Sequence, residues 1–160
     1  MSKANKTPQV GASNQILRDV GYSVETIGHA CIVLRKPDGT PVLFTDPWLI
    51  GSCYWRSWWL QNYPSEEQIS ELQKAKFCYI THEHPDHLHL PTIRKIGSKP
   101  TYLSADLSEE AISGLLSQNG FKTQVLKSSQ WYTINDGCRI LSIPFFPDDS
   151  ILIIETPNAF

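Results

Sequence analysis

Four of the chain's five histidines fall inside nine residues, Thr81-His82-Glu83-His84-Pro85-Asp86-His87-Leu88-His89. No other feature constrains the fold as much, because the backbone must hold these side chains close together. The run before them, Phe77-Cys78-Tyr79-Ile80, is apolar and bounded by charge, as a short buried strand would be. The histidines therefore sit on a loop at a strand end. His82 and His84 are two apart, so on extended backbone they project to the same side. Pro85 bars regular helix and turns the chain, which lets Asp86 and His87 address a neighbouring position. Neutral imidazole and carboxylate suit zinc, manganese or iron. The spacing H-x-H-x-D-H thus predicts a divalent metal held by His82, His84, Asp86 and His87, with room for up to two ions. The helical motif H-E-x-x-H is not met, since Asp86 stands at the required position and Pro85 lies inside the would-be helix. A solvated loop whose histidines bind nothing is the alternative. His89 lies outside the spacing and is expected to face solvent or cap the following turn.

The flanking sequence predicts a layered α/β or α+β domain. Ser23 to Ile27, Ala30 to Arg35 and Pro41 to Thr45 read as strands, the last two joined by the turn residues Lys36 to Thr40. Ser65 caps a helix that opens with Glu66 and Glu67 and carries Ile69 and Leu72 inward. Pro91 to Ile96 reads as a short helix, Thr101 to Leu103 as a strand, and Ser108 to Gln118 as a capped amphipathic helix stopped by Asn119-Gly120. Lys122 to Leu126, Trp131 to Ile134, Arg139 to Ile143 and Ile151 to Glu155 read as strands. Residues 1–22 are expected to be a flexible arm with a short helix near Gln15 to Val20, and residues 23–160 one domain.

H-x-H-x-D-H after a short apolar strand resembles the metallo-β-lactamase superfamily, whose αββα sandwich packs two mixed sheets between outer helices. Glu25-Thr26-Ile27-Gly28-His29-Ala30-Cys31, Thr45-Asp46-Pro47-Trp48-Leu49 and Trp58-Trp59-Leu60 look like the branch containing the metallo-domain of CMP-N-acetylneuraminate hydroxylase. Ascorbate phosphate lactonase and N-acyl-phosphatidylethanolamine phospholipase look like more distant relatives. The resemblance implies that His82 and His84 hold one ion, Asp86 and His87 a second, with a metal-bound hydroxide attacking an ester, lactone or phosphoester; Asp86 then carries a catalytic role. Asp46 would orient a ligand imidazole, or be a turn aspartate before proline. His29 would line the site, or be a satisfied histidine at a strand break.

Departures from the family pattern accompany the match. The stretch Ile143 to Ser150 lacks the family's further metal histidine, and Asp148 or Asp149 is weighed as its stand-in. The bridging aspartate and final histidine would fall beyond Phe160, so only the N-terminal portion of the fold is expected, with a first sheet whose inner face stands uncovered. Ile151 to Ile154, apolar at successive positions, wants burial on both faces. The alternative to a hydrolase is accordingly a truncated, non-catalytic half-domain that needs a homo-oligomer or a complementing chain. Trp48, Tyr54, Trp55, Trp58, Trp59 and Tyr63 crowd into sixteen residues; Trp55 and Trp58 could stack on a small-molecule substrate with Arg56 pairing an anion, or the loop could be core or oligomer contact.

Composition excludes several classes. Lys plus Arg number 14 against 16 Asp plus Glu, with no basic run, so nucleic acid is not an expected partner. No membrane span or signal peptide is read, which leads to the expectation of a cytoplasmic protein; zinc is the first candidate metal on the ligand types. The four cysteines, Cys31, Cys53, Cys78 and Cys138, form no C-x-x-C pair and are expected to be buried thiols. An oxygenase role would require an iron–sulfur domain, for which these cysteines offer no ligand pattern.

Overall fold

The period-two segments at the start of the chain pair as expected. Ser23–Ile27 (β1) runs antiparallel to Cys31–Arg35 (β2), and β2 to Pro41–Thr45 (β3). The structure, a computed structural model, describes residues 21–107, 111–146 and 148–157. The expected helix near Gln15 and the opening turn of the helix expected from Ser108 lie outside the described residues. Tyr22 is described: it packs between the sheets, donates from Oη to the Asp136 carbonyl at 3.2 Å and accepts from Asn135 Nδ2 at 2.8 Å.

Apart from one short hairpin inside the aromatic loop, where no strands are expected, the remaining elements follow the predicted alternation with small shifts at their ends. In chain order they are that hairpin, Ser52–Cys53 (β4) and Trp58–Trp59 (β5), the helix Glu66–Glu71 (α1), Phe77–Ile80 (β6), Leu90–Ile96 (α2), Thr101–Ala105 (β7), Ala111–Gln118 (α3), Thr123–Leu126 (β8), Trp131–Asn135 (β9), Cys138–Phe145 (β10) and Asp149–Glu155 (β11). Ser65 and Gln68 form a reciprocal capping box at the start of α1, which satisfies two otherwise orphan amides. His89 caps α2, its Nδ1 accepting from the Thr92 amide at 3.4 Å; of the two places expected for it, facing solvent or capping the turn, the buried ring takes the second.

A six-stranded sheet runs in the order β1-β2-β3-β6-β7-β8, with β3, β6, β7 and β8 parallel. The helices α1, α2 and α3 occupy the three parallel crossovers, as parallel pairing requires. They pack on one face, where Ile69, Leu72, Ile93, Ile96, Ile112 and Leu116 meet Val33, Phe44, Cys78, Ile80 and Tyr102. With both faces covered, β3 and β7 are buried at every position. None of the helices in the described residues is long and apolar enough to cross a membrane.

The other face of the large sheet corrects an expectation. It does not stand uncovered: β9, β10 and β11 form a second, antiparallel sheet over Leu34, Leu43, Tyr79, Leu103 and Leu126, to which they contribute Ile134, Cys138 and Ile140, with Leu152 and Ile154 partly buried. The alternation of β10 and β11 decides this, because residues opposite one another share a face. Ile140 pairs with Ile154 and Ser142 with Leu152 on the inner face; Leu141 pairs with Ile153 and Ile143 with Ile151 on the outer one. The apolar surface left uncovered is on that outer face, where Ile151 and Ile153 are exposed.

A buried hydrogen-bond chain joins the two sheets next to the histidine loop. Tyr79 Oη lies 2.7 Å from Ser142 Oγ and 2.8 Å from Ser150 Oγ, and Ser150 Oγ donates to the Thr81 carbonyl at 2.7 Å. A carbonyl only accepts, so the Ser150 proton is committed to Thr81. Tyr79 must then donate to Ser150, and Ser142 to Tyr79.

Candidate metal centre

The site forms where the parallel strands β3 and β6 end side by side, the edge at which open α/β sheets place ligands. Asp46 follows β3 at φ 41°, in the left-handed region, where a side chain of this kind is tolerated because it can bond locally. Its Oδ1 accepts the Thr81 amide at 2.8 Å and lies 3.1 Å from the Thr81 hydroxyl, and its Oδ2 lies 3.4 Å from His87 Nδ1. The buried Asp46 thus ties the end of one strand to the start of the histidine loop.

The four residues of the H-x-H-x-D-H spacing converge. His82 Nε2 lies 3.0 Å from His84 Nδ1, and the His82 and His87 rings are 4.0 Å apart between centroids. Asp86 Oδ2 is 3.4 Å from His87 Nε2 and 3.3 Å from His29 Nε2. His29, Asp86 and His87 can each offer one ligand atom such that all lie within 4.8 Å of one another. His29 reaches this position through Gly28, which has φ 64° and where a Cβ would come within 2.8 Å of the Trp48 carbonyl oxygen and of Leu49 Cδ2. The His29 ring rests edge-on against Trp48 at 5.6 Å. Asp149, from β11, places Oδ1 3.4 Å from His82 Nδ1, so the second sheet contributes a carboxylate where the sequence lacks a histidine.

Electrostatics differ across the cluster. Burial and the neighbouring His87 and His84 hold the His82 imidazole below its ordinary pKa, against the pull of Asp149 and Asp46. Burial also depresses His87, but the Asp46 hydrogen bond and the carboxylates of Asp46, Asp86 and Asp149 together outweigh it and raise its pKa. For Asp86 burial pushes upward, while the Tyr54 hydrogen bond, its own backbone amide and the two facing histidines prevail and hold the carboxyl low. An ionised carboxylate among imidazoles with available lone pairs is a donor set that fits zinc, manganese or iron.

The aromatic loop is only partly directed at the cluster. Tyr54, Trp55 and Arg56 all have left-handed backbone, at φ 47°, 54° and 69°, which costs about 1–2 kcal/mol per residue. The Tyr54 carbonyl accepts from both the Ser57 amide and its hydroxyl, and Trp59 Nε1 donates to the Arg56 carbonyl at 3.0 Å. The outcome of that turn is the Tyr54 hydroxyl, which donates to Asp86 Oδ1 at 2.8 Å. Burial and the Asp86 carboxylate push its pKa up to about 12. Trp58 packs against Tyr54 with ring centroids 4.8 Å apart and planes tilted by 58°. Arg56 is exposed, and Trp55, 97% exposed, lines a neighbouring cleft of about 360 Å³ with Cys53, Tyr54, Glu83, Leu88, His89 and Leu115.

Of the residues singled out from sequence, His29, Asp46, His82, His84, Asp86 and His87 are brought together, Trp58 reaches the site through Tyr54, and Trp55 and Arg56 stay at the rim. Tyr54 and Thr81 are not among the site residues expected from sequence. Thr81 carries a local signal, a hydroxyl next to the first histidine. Tyr54 carries only its place among the crowded aromatics, because its aim at Asp86 depends on three consecutive left-handed residues.

The comparisons agree with this architecture. The model of the β-lactamase superfamily domain matches residues 23–151. The chain is 33% identical over 118 residues to cytidine monophosphate-N-acetylneuraminic acid hydroxylase of Asterias rubens, a match spanning 71% of this chain and 18% of that protein. The protein of the same name from Sus scrofa is 32% identical over 137 residues, spanning 79% and 31%. The chain therefore covers less than a third of the length of these relatives. Among solved structures, isothiocyanate hydrolase from Delia radicum gut bacteria superposes with a TM-score of 0.59 at 18% identity, covering 83% of this chain and 57% of that one, a likeness of fold. Taken together with the strand-end cluster of histidines and aspartates, these matches show that the chain belongs to the β-lactamase superfamily domain family, with a metallo-β-lactamase-like fold.

Proposed function

We propose that this chain is the metal-binding part of a hydrolase acting on an ester, lactone or phosphoester. One observation carries the reading: His29, Asp86 and His87 bring three donor atoms within 4.8 Å of one another, directly beside the His82 and His84 pair. Asp86 and His87 with His29 would hold one divalent ion, and His82 with His84 a second, zinc being the first candidate for so imidazole-rich a set. A bound ion there supplies Lewis acidity and lowers the pKa of water. The chain's own groups do the rest: Asp46 and Thr81 orient imidazoles, Tyr54 holds one oxygen of Asp86, and the exposed His84 marks the open side where a substrate approaches. Trp55, Trp58 and Arg56 would form an aromatic rim with one cation, suited to a small anionic substrate. The relatives' names make CMP-N-acetylneuraminic acid a compound to include among the substrates tested.

The test is metal stoichiometry by elemental analysis, in parallel for wild type, His82→Ala/His84→Ala and His29→Ala/His87→Ala, followed by a hydrolysis screen over esters, lactones, phosphoesters and CMP-N-acetylneuraminic acid. Each pair of substitutions is expected to remove about one ion. Retention of metal in both variants would refute the assignment of ligands. Metal bound normally with no hydrolysis of any class would favour a half-domain that acts with a complementing chain.

A further inference from the structure

Thr81 stands at the centre of the cluster without being a ligand candidate. Its Oγ1 lies 3.1 Å from Asp46 Oδ1, 3.1 Å from Asp46 Oδ2, 2.9 Å from His82 Nδ1 and 3.3 Å from His87 Nδ1. A hydroxyl has a single proton to donate. The strongest acceptor within reach is the Asp46 carboxylate, buried at 3% exposure, and a charge-assisted hydrogen bond outcompetes a neutral one. With its proton given to Asp46, the Thr81 oxygen is left as an acceptor facing two imidazole nitrogens. Both nitrogens must then carry protons. Each has a second acceptor to serve, since Asp46 Oδ2 is 3.4 Å from His87 Nδ1 and Asp149 Oδ1 is 3.4 Å from His82 Nδ1.

An imidazole protonated on Nδ1 has its lone pair on Nε2. Those are the atoms that point into the cluster: His82 Nε2 towards His84 Nδ1 at 3.0 Å, and His87 Nε2 towards Asp86 Oδ2 at 3.4 Å. We propose that Thr81 is a positioning residue whose hydroxyl, oriented by Asp46, fixes His82 and His87 together as Nδ1–H tautomers and so presents one bare Nε2 atom to each half of the two-ion cluster. One hydroxyl and one carboxylate thereby prepare two ligands from different halves of the H-x-H-x-D-H spacing. Its purpose rests on reading the cluster as a metal centre, but the tautomers themselves are a property of the metal-free protein.

The experiment compares wild type with Thr81→Val, which keeps the shape and loses the hydroxyl, and Thr81→Ser, which keeps the hydroxyl. Two-bond ¹⁵N–¹H correlations of the imidazoles in metal-free protein, at about pH 8 and above the ordinary histidine range, report the tautomers. Zinc affinity is measured on the same samples by chelator competition. His82 and His87 are expected as Nδ1–H in wild type and Thr81→Ser. In Thr81→Val they are expected as mixtures, with zinc affinity lowered roughly 10- to 100-fold, the range for loss of a group behind a metal ligand. Nε2–H tautomers in wild type would overturn the proposal whether or not metal binds. So would Thr81→Val with unchanged tautomers and unchanged affinity. Nδ1–H tautomers in a wild-type protein that binds no zinc would uphold it and instead remove the metal-centre reading; if Thr81→Val fails to fold, the wild-type and Thr81→Ser tautomers still decide.

Discussion

Replacing Tyr79 by Phe removes one oxygen atom from the middle of the Ser142, Tyr79, Ser150, Thr81 chain. Tyr79 and Ser142 are both fully buried. The substitution deletes two hydrogen bonds and leaves the Ser142 hydroxyl without the acceptor it had, while Ser150 keeps its bond to the Thr81 carbonyl. Losing the Ser150 bond costs about 1 kcal/mol net, and leaving the buried Ser142 hydroxyl unpaired about 1–3 kcal/mol, an expected destabilisation of about 2–4 kcal/mol. For a domain of this size that is a melting-point decrease of about 4–16 °C. Urea denaturation should show a lower midpoint at unchanged slope. The double variant Tyr79→Phe/Ser142→Ala should regain about 1 kcal/mol, because removing both partners leaves nothing unpaired. The alkaline limb is a second check. Burial raises the Tyr79 pKa against the pull of its two serine partners, so the folded state retains a phenolic proton that the unfolded chain loses. That contribution is complete below the unfolded tyrosine pKa of about 10 and is lost as pH rises through the folded value. The stability difference between wild type and Tyr79→Phe should therefore shrink above about pH 10. A loss below about 0.5 kcal/mol, within the usual range of surface changes, together with no recovery in the double variant, would refute the reasoning.

Tyr54→Phe removes the donor to Asp86 Oδ1 and is expected to weaken metal binding about 10-fold with little effect on melting; isothermal titration with zinc reads it, and unchanged affinity would mean that the hydroxyl does not position Asp86. Gly28→Ala puts a Cβ into the Trp48 carbonyl and Leu49 at positive φ, and should lower stability by about 2 kcal/mol or more, visible as a lower urea midpoint. Native protein should resist thiol reagents at Cys31, Cys78 and Cys138, which are buried and whose pKa values burial raises. Cys53 is buried too, and burial and Asp86 raise its thiol pKa, but it lines the cleft and should react first; mass spectrometry after brief alkylation distinguishes the sites.

Much of the first sheet was legible because its determinants are local. The N-cap at Ser65, the turn through Gly39, the apolar run of β6 and the proline after His84 each act within a few residues. The convergence of His82, His84, Asp86 and His87 was legible too, since strand alternation and one proline suffice to bring them to one strand end. What the small sheet does was not. Ile151 to Ile154 announces two apolar faces, but which face packs inward follows from its pairing with β10 across the turn, and that docking also delivers Asp149 to His82 and Ser150 to Thr81. The same holds for the contact between Tyr54 and Asp86, 32 residues apart, and for the approach of His29 to Asp86. The sequence by itself thus determined which chemistry can occur at the end of β6: ligand types, their spacing and a turn. Only the tertiary structure decided which distant groups complete it, because strand register and loop handedness are settled by packing between segments far apart in the chain.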